Sequence, residues 1–148
     1  MSDSRDRMLQ ARVRLDLGST EENDAIREVA DTLRDHPGVA DFTTFVDAVL
    51  ERQSVDPPLL GHGIALPHAR THAVTEIVTA FGVSPKDIPF GPDATPVRFV
   101  VLIGTPPNRA SEYLAWVAAL VRRLADADVR DALLDSDDPR RFLETLAG

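Results

Sequence analysis

The sequence contains no cysteine, and this absence removes several kinds of chemistry from consideration. A chain without thiols forms neither disulfides nor cysteine-based zinc sites, and it has no thiolate nucleophile. Basic residues are also scarce, since 16 lysines and arginines stand against 24 acidic residues and leave a formal net charge of -8. Because non-specific binding to nucleic acid and to anionic membrane surfaces depends on basic side chains, we expect neither here.

Long apolar runs are missing as well. The apolar run at residues 115–121 is followed by two arginines and is far too short to span a bilayer. The N-terminal residues 1–10 are mostly polar and charged, which is not the pattern of a secretory signal. We therefore expect a cytoplasmic protein without membrane insertion. Its 148 residues are enough for one domain with a substantial core.

The order of apolar patterns predicts strands separated by helices. Alternation over residues 13–17 predicts an edge strand, and the apolar runs at 74–83 and 97–103 predict two buried strands. Residues 84–96 contain four prolines and a glycine, so we expect a turn-rich connection there. Residues 1–12 are expected to be a flexible N-terminal segment.

Helical spacing of apolar residues predicts the remaining elements. One helix is expected after a capping box at Ser19 and Glu22, and the others are expected over 41–53, 109–124, 127–134 and 139–146, the last with Asp138 as its cap. In the long helix, Leu114 and Val121 are among the residues expected to face the core. Strands and helices in this order indicate an α/β fold, with a mixed β-sheet flanked by helices in a single compact domain over residues 13–148.

The most informative stretch is residues 63–70, Gly-Ile-Ala-Leu-Pro-His-Ala-Arg. Pro67 fixes the backbone angle directly before His68, and Gly61 and Gly63 allow a close approach of the chain to another surface. The segment therefore presents one imidazole on a rigid loop beside a strand. An imidazole near neutral pH is an uncharged nucleophile with a tunable pKa, so His68 is a candidate for chemistry, with a structural histidine as the alternative.

Two more histidines near this segment raise the possibility of a metal site and a metal-dependent hydrolase. His62, His68 and His72 lack the H-E-x-x-H pattern of a helical metal-binding pair, and the nearest carboxylates are Asp56 and Glu76. We therefore expect no bound metal. A metal site formed by the three histidines stays an alternative, because side chains of one short loop can converge on a metal ion.

Two other places are candidates for binding an anion. Arg52 lies at the end of the second predicted helix, where its planar guanidinium can reach a phosphate or can simply be solvated. The long helix begins near residue 109 with unpaired N–H groups, and Tyr113 in its first turns can direct a hydroxyl at the same place. An ordinary capped helix with a tyrosine packed at the surface is the alternative.

Glu51-Arg52, followed by residues 60–68 with the sequence Leu-Gly-His-Gly-Ile-Ala-Leu-Pro-His, resembles the enzyme IIA domains of the fructose/mannitol type. These domains, which include the nitrogen-regulatory version, belong to the bacterial phosphoenolpyruvate-dependent sugar phosphotransferase system. The spacing between the two parts has no gap. The strand at 97–103, the long helix and residues 130–134 also have family counterparts, so the resemblance covers nearly the whole chain.

The resemblance implies a phosphocarrier and a role for each matched residue. His68 would accept a phosphoryl group from a histidine-containing phosphocarrier protein and pass it to a IIB-type domain or a regulatory target. Arg52 matches the arginine that supports the site, and Ser111 and Tyr113 at the start of the long helix would help to stabilise the phosphoryl group. The resemblance implies no cofactor.

Two features depart from the family pattern. Family members usually carry a second histidine where Tyr113 stands, and hydroxyl residues where Pro57 and Pro58 stand. A tyrosine hydroxyl donates one hydrogen bond but is not cationic near neutral pH, and the prolines remove two hydroxyls and two backbone donors. The alternative function is therefore a regulatory interaction module with the enzyme IIA fold and weak or absent phosphotransfer.

Overall fold

One mixed sheet lies at the centre of the computed structural model, which describes residues 3–55 and 57–148. Its six strands, within those ranges, are β1 (Arg12–Arg14), β2 (Leu59–Gly61), β3 (Ile64–Ala65), β4 (His68–Arg70), β5 (Val78–Phe90) and β6 (Thr95–Thr105). Their order is β1-β5-β6-β3-β2, and β4 follows β3 along the same side of β6. The pairs β1–β5, β3–β6 and β4–β6 are parallel, whereas β5–β6 and β2–β3 are antiparallel.

Helices cover both faces of this sheet. In the described ranges they are α1 (Asp3–Gln10), α2 (Glu22–Ala30), α3 (Phe42–Val55), α4 (Ala110–Leu124), α5 (Ala127–Leu134) and α6 (Pro139–Ala147). Val100 and Leu102 of β6 belong to the core under α2 and α3, whereas Val101 and Ile103 belong to the core under the other four helices. Since successive side chains of a strand point to opposite faces, β6 is buried on both sides. The predicted α/β fold with a mixed sheet flanked by helices is confirmed.

The segment at 84–96 differs from the turn-rich connection expected there. Strand β5 continues to Phe90, and the turn is limited to residues 91–94. Ile88 and Phe90 are buried in the core, and Pro89 lies opposite Pro96, so neither proline faces a partner that requires its missing N–H. The alternating burial of side chains along β5 therefore outweighs the turn signal of the prolines, and the prediction of a turn-rich connection over residues 84–96 is wrong.

The start of α2 also differs from the prediction. No side chain caps this helix, which begins at Glu22, and the Ser19 hydroxyl instead donates to Glu28 Oε1 at 2.7 Å. The same carboxylate accepts the main-chain N–H groups of Gly18 and Ser19 at 3.1 Å. Glu28 reaches the loop from the second turn of the helix, so the predicted capping box is absent.

Two further segments have an environment that the pattern did not predict. Within the N-terminal segment, residues 3–10 form α1, and Met8 of this helix is buried; the flexibility of residues 1–12 stays a prediction. On α4, Trp116 and Leu120 face the core, whereas Leu114 and Val121 are exposed. The indole N–H of Trp116 donates to Thr79 Oγ1 at 2.9 Å, which fixes the rotation of α4 against β5.

Close packing between α3 and the sheet sets the position of the candidate site. A methyl group at Gly104 of β6 would lie 2.5 Å from Phe45 Cε1 of α3, so the helix sits directly on the strand at this point. Gly104 is paired with Ala69 of β4. Helix α3 also packs against β4, and Arg52 in its last turn lines the same cavity as His68.

Candidate functional site

Main-chain hydrogen bonds to β6 hold the segment that leads to His68. The Gly63 carbonyl accepts the N–H groups of Arg98 and Phe99 at 2.9 and 3.0 Å, and the Pro67 carbonyl accepts the N–H of Ile103 at 3.0 Å. Pro67 is buried. The residue before the histidine is therefore fixed both by its ring and by its partner strand.

The two predicted glycines form the turn between β2 and β3. Gly61 and Gly63 have φ angles of +82° and +74°, and His62 between them has a φ of 55°. A methyl group at Gly61 would contact nothing within 4 Å, so glycine is required there by the left-handed backbone rather than by space.

His68 has a defined tautomer in this structure. Its Nδ1 lies 2.9 Å from the Leu66 carbonyl oxygen. Because a carbonyl oxygen only accepts, Nδ1 must carry the proton and Nε2 must carry the lone pair in the neutral ring. The half-buried imidazole therefore offers Nε2 as its nucleophilic atom.

The imidazole lies in a cavity of about 650 Å³ between α3 and α4, with β4 at its base. Its lining comes from α3, β4, the end of β6 and the first turn of α4: Ala48, Glu51, Arg52, Val55, His68, Ala69, Arg70, Thr105, Ala110, Tyr113 and Leu114. Val55 and Leu114 at its rim are 79% and 66% exposed, so apolar side chains surround its opening.

Strand β4 turns one main-chain edge away from the sheet. The Pro67 carbonyl and the Thr71 N–H make the hydrogen bonds to β6, at Ile103 and Thr105. Because alternate residues of a parallel strand bond to the same neighbour, the N–H groups of His68 and Arg70 point away from β6. Strand β2 pairs with β3, and within residues 3–55 and 57–148 no strand pairs with this edge of β4.

Arg52 and Tyr113 stand on the two walls beside His68. The Tyr113 ring lies 5.7 Å from the imidazole, measured between centroids, with 35° between their planes. Burial raises the pKa of Tyr113 above its ordinary value, although the nearby positive charge of Arg52 acts in the opposite direction. The phenol is therefore neutral at physiological pH and serves as a hydrogen-bond donor.

The N-terminus of α4 adds a positive end of a helix dipole to the cavity. Ala110, the first residue of the helix, lines it, and the side chain of the N-cap residue Arg109 does not bond to the first amides. N–H groups and the helix dipole at such a terminus favour an anion.

Several residues singled out from the sequence lie elsewhere. Ser111 is exposed and lines a separate cleft formed by residues 107–112, so the structure does not bring its side chain to His68. Two helical positions separate Ser111 from Tyr113, which turns their side chains about 200° apart around the helix axis. Pro57 and Pro58 do not line the cavity either; Pro58 accepts the N–H of Leu66 at 2.9 Å.

The three neighbouring histidines do not converge. His62 lines a different cavity, with Arg98 and Arg130, and His72 is exposed. Over residues 3–55 and 57–148, no three histidine or acidic side chains are grouped to hold a metal ion.

Arg70 and Thr105 line the cavity and were not selected from the sequence. A strand signal could have found Arg70, because residues two apart on a strand share a face and Arg70 follows His68 by two positions. Thr105 comes from a distant strand, and only the pairing of Arg70 with Thr105 in the sheet brings it here.

Comparisons with known proteins agree with this fold. The family model described as "Phosphoenolpyruvate-dependent sugar phosphotransferase system, EIIA 2" matches residues 8–148. The fructose-specific EIIA component of the phosphotransferase system of Haloferax volcanii is 34% identical over 139 residues, which cover 90% of each chain. The chain therefore belongs to the EIIA 2 family of this phosphotransferase system, as the resemblance implied.

Two further relatives come from Escherichia coli. The 2-O-alpha-mannosyl-D-glycerate-specific EIIABC component is 33% identical over 134 residues; these cover 86% of this chain, which thus spans only 20% of that longer protein. The structure of the complex of enzyme IIAMTL with phosphorylated enzyme IIBMTL superposes with a TM-score of 0.76 at 25% identity, over 100% of this chain and 97% of that one. No helix in the described ranges combines the length and hydropathy needed to cross a membrane.

Proposed function

We propose that this protein is a phosphocarrier that accepts a phosphoryl group on Nε2 of His68. The observation that carries this proposal is the contact between His68 Nδ1 and the Leu66 carbonyl, which leaves Nε2 unprotonated beside an anion-binding cavity. The Nε2 lone pair attacks phosphorus of the donor's phosphohistidine, a new N–P bond forms, and the donor's N–P bond breaks. The electron pair of that bond returns to the donor imidazole.

The surroundings of His68 supply what phosphoryl transfer needs, which is positioning and stabilisation of charge on the equatorial oxygens. Arg52 offers a guanidinium, Tyr113 offers a neutral hydroxyl, and the first turn of α4 offers main-chain N–H groups. No metal is needed for this step. Ser111 contributes at most its main-chain N–H, because its side chain lies outside the cavity.

The donor would be a histidine-containing phosphocarrier protein and the acceptor a IIB-type domain, in sugar uptake or in regulation. Family membership supports this assignment, and so does the complex of a similar domain with phosphorylated enzyme IIB. The exposed side chains of Val55 and Leu114 at the rim support a protein partner, because exposed apolar groups around a site commonly serve protein contacts.

Phosphorylation with phosphoenolpyruvate, enzyme I and the phosphocarrier protein tests the proposal. We expect one acid-labile phosphoryl group, and the phosphorus NMR shift should identify an Nε2 phosphohistidine. His68→Ala should remove the label. His62→Asn and His72→Gln are matched controls that remove exposed imidazoles near His68 in the sequence and should leave labelling unchanged. Labelling that survives in the His68→Ala variant would contradict the proposal.

A second candidate function is that of a regulatory module that binds its target without phosphotransfer. The neutral Tyr113 beside His68 favours it, since a cationic donor there would hold a phosphoryl group more strongly. The same assay separates the two functions. Absence of label on the wild-type protein, together with capture of a partner that the His68→Ala variant also captures, would favour the regulatory module.

A further inference from the structure

Arg70 is an exposed arginine at the base of the His68 cavity whose role the proposed function does not assign. It follows His68 by two positions in β4, so both side chains lie on one face of the strand, while Ala69 between them is buried. In the part of the chain that the structure describes, the Arg70 side chain has no salt bridge and no hydrogen bond. Its guanidinium is therefore available to a ligand.

The balance of charge in the cavity depends on Arg70. The described lining contains one carboxylate, Glu51, and two guanidinium groups, Arg52 and Arg70. Without Arg70 these side chains would sum to zero, in a protein whose formal net charge is -8. A phosphoryl group carries a charge of roughly -1.5 to -2 near neutral pH, so a neutral cavity would hold it poorly.

The geometry of β4 adds a second reason. The N–H groups of His68 and Arg70 point away from β6, toward the open edge of the strand, so main-chain donors and the Arg70 guanidinium belong to one short segment. A guanidinium binds phosphate through two parallel N–H groups, which fixes orientation as well as charge. Arg52 belongs to a different element, α3, which forms one wall of the cavity.

We propose that Arg70 is a phosphoryl-binding residue, which holds the transferring group from the β4 side while Arg52 holds it from α3. This inference rests on the proposed function of His68. It assigns to Arg70 a contact with the phosphoryl group itself, rather than with the surface of the donor protein.

Phosphoramidate is the probe that isolates this contact, because it donates a phosphoryl group without any partner protein. The His68 Nε2 lone pair attacks the phosphorus of phosphoramidate protonated on its nitrogen, the N–P bond of phosphoramidate breaks, and its electron pair leaves with the nitrogen as ammonia. The rate of labelling is measured for the wild type, Arg70→Gln, Arg70→Lys and Arg141→Gln. Arg141 is the matched control, since it is an exposed arginine on α6 outside the cavity.

We expect Arg70→Gln to slow labelling by about tenfold or more, the effect of losing a charge-assisted hydrogen bond. Arg70→Lys should restore part of the rate, because lysine keeps the charge but not the two-pronged geometry. Arg141→Gln should match the wild type. The defect of Arg70→Gln should shrink at high salt, which screens the wild-type guanidinium at this exposed position. Equal thermal unfolding midpoints would exclude a folding defect.

Equal labelling rates for Arg70→Gln and the wild type would overturn the inference and leave the role of His68 intact. A defect seen with the phosphocarrier protein but not with phosphoramidate would also overturn it, since Arg70 would then recognise the partner. Failure of the proposed function itself has a different signature, which is either a label that persists after His68→Ala or no label on the wild-type protein.

Discussion

Replacing Tyr113 by phenylalanine removes one hydroxyl from the site and keeps the ring, whose centroid lies 5.7 Å from that of the His68 imidazole. If this hydroxyl donates to the phosphoryl group, its loss should cost about 1.5–3 kcal/mol, as for other hydrogen bonds to charged groups. This range corresponds to a rate of phosphoryl transfer that is lower by roughly 10- to 150-fold. Because Tyr113 is only partly buried, the stability of the fold should change little.

The assay is rapid-quench measurement of phosphoryl transfer from the phosphocarrier protein to this chain. Tyr113→His serves as the paired variant, since an imidazole also donates a hydrogen bond and titrates near pH 6.5. The wild-type pH profile should lack a titration of Tyr113 below pH ~10, because burial raises the pKa of its hydroxyl. Tyr113→His should gain rate as the pH falls and the new imidazole becomes cationic.

Transfer at the wild-type rate by Tyr113→Phe would refute this reasoning and show that the hydroxyl does not touch the phosphoryl group. A Tyr113→His variant without any new pH dependence would point the same way. Unfolding midpoints of both variants provide the control for structural damage.

Two further predictions concern the scaffold. Gly104→Ala would place a methyl group 2.5 Å from Phe45 Cε1 and should lower the free energy of unfolding by about 1–3 kcal/mol in urea titrations, whereas Gly18→Ala, with nothing within 4 Å, should have little effect. Burial raises the pKa of Glu28, but hydrogen bonds from Ser19 and Gly18 outweigh this effect, so the pKa in the folded state lies below the ordinary value of 4.5. The ionised carboxylate therefore stabilises the fold above that pH. Glu28→Gln should therefore lower the free energy of unfolding by about 1.5–3 kcal/mol at neutral pH. The difference from the wild type should narrow as the pH falls through the folded-state pKa of Glu28. A difference that stays constant with pH would show that the charge of Glu28 is not its cause.

Local sequence signals, such as helix caps and the spacing of apolar residues, were sufficient to predict much of the fold. The start of α6 at Pro139 followed from Asp138, whose carboxylate accepts the N–H of Arg140 at 2.8 Å, and α5 has the predicted bounds, Ala127–Leu134. The capping box predicted at Ser19 is absent because the Ser19 hydroxyl donates instead to Glu28, in the second turn of α2. The prolines at 84–96 failed as a turn signal because pairing with β6 outweighs a local preference.

The amino-acid sequence by itself determined the family and the presentation of His68, because the Pro-His segment and its glycines depend on local backbone angles. Only the tertiary structure decided which residues share the cavity with it. Arg52, Arg70 and Tyr113 belong to α3, β4 and α4, and the packing of these two helices on opposite faces of the sheet brings them together beside β4. The rotation of α4, fixed by the buried Trp116, directs Tyr113 toward His68 and Ser111 away from it. Arg70 shares β4 with His68, but Arg52 and Tyr113 are far from His68 in the chain, so local backbone preferences do not encode their proximity.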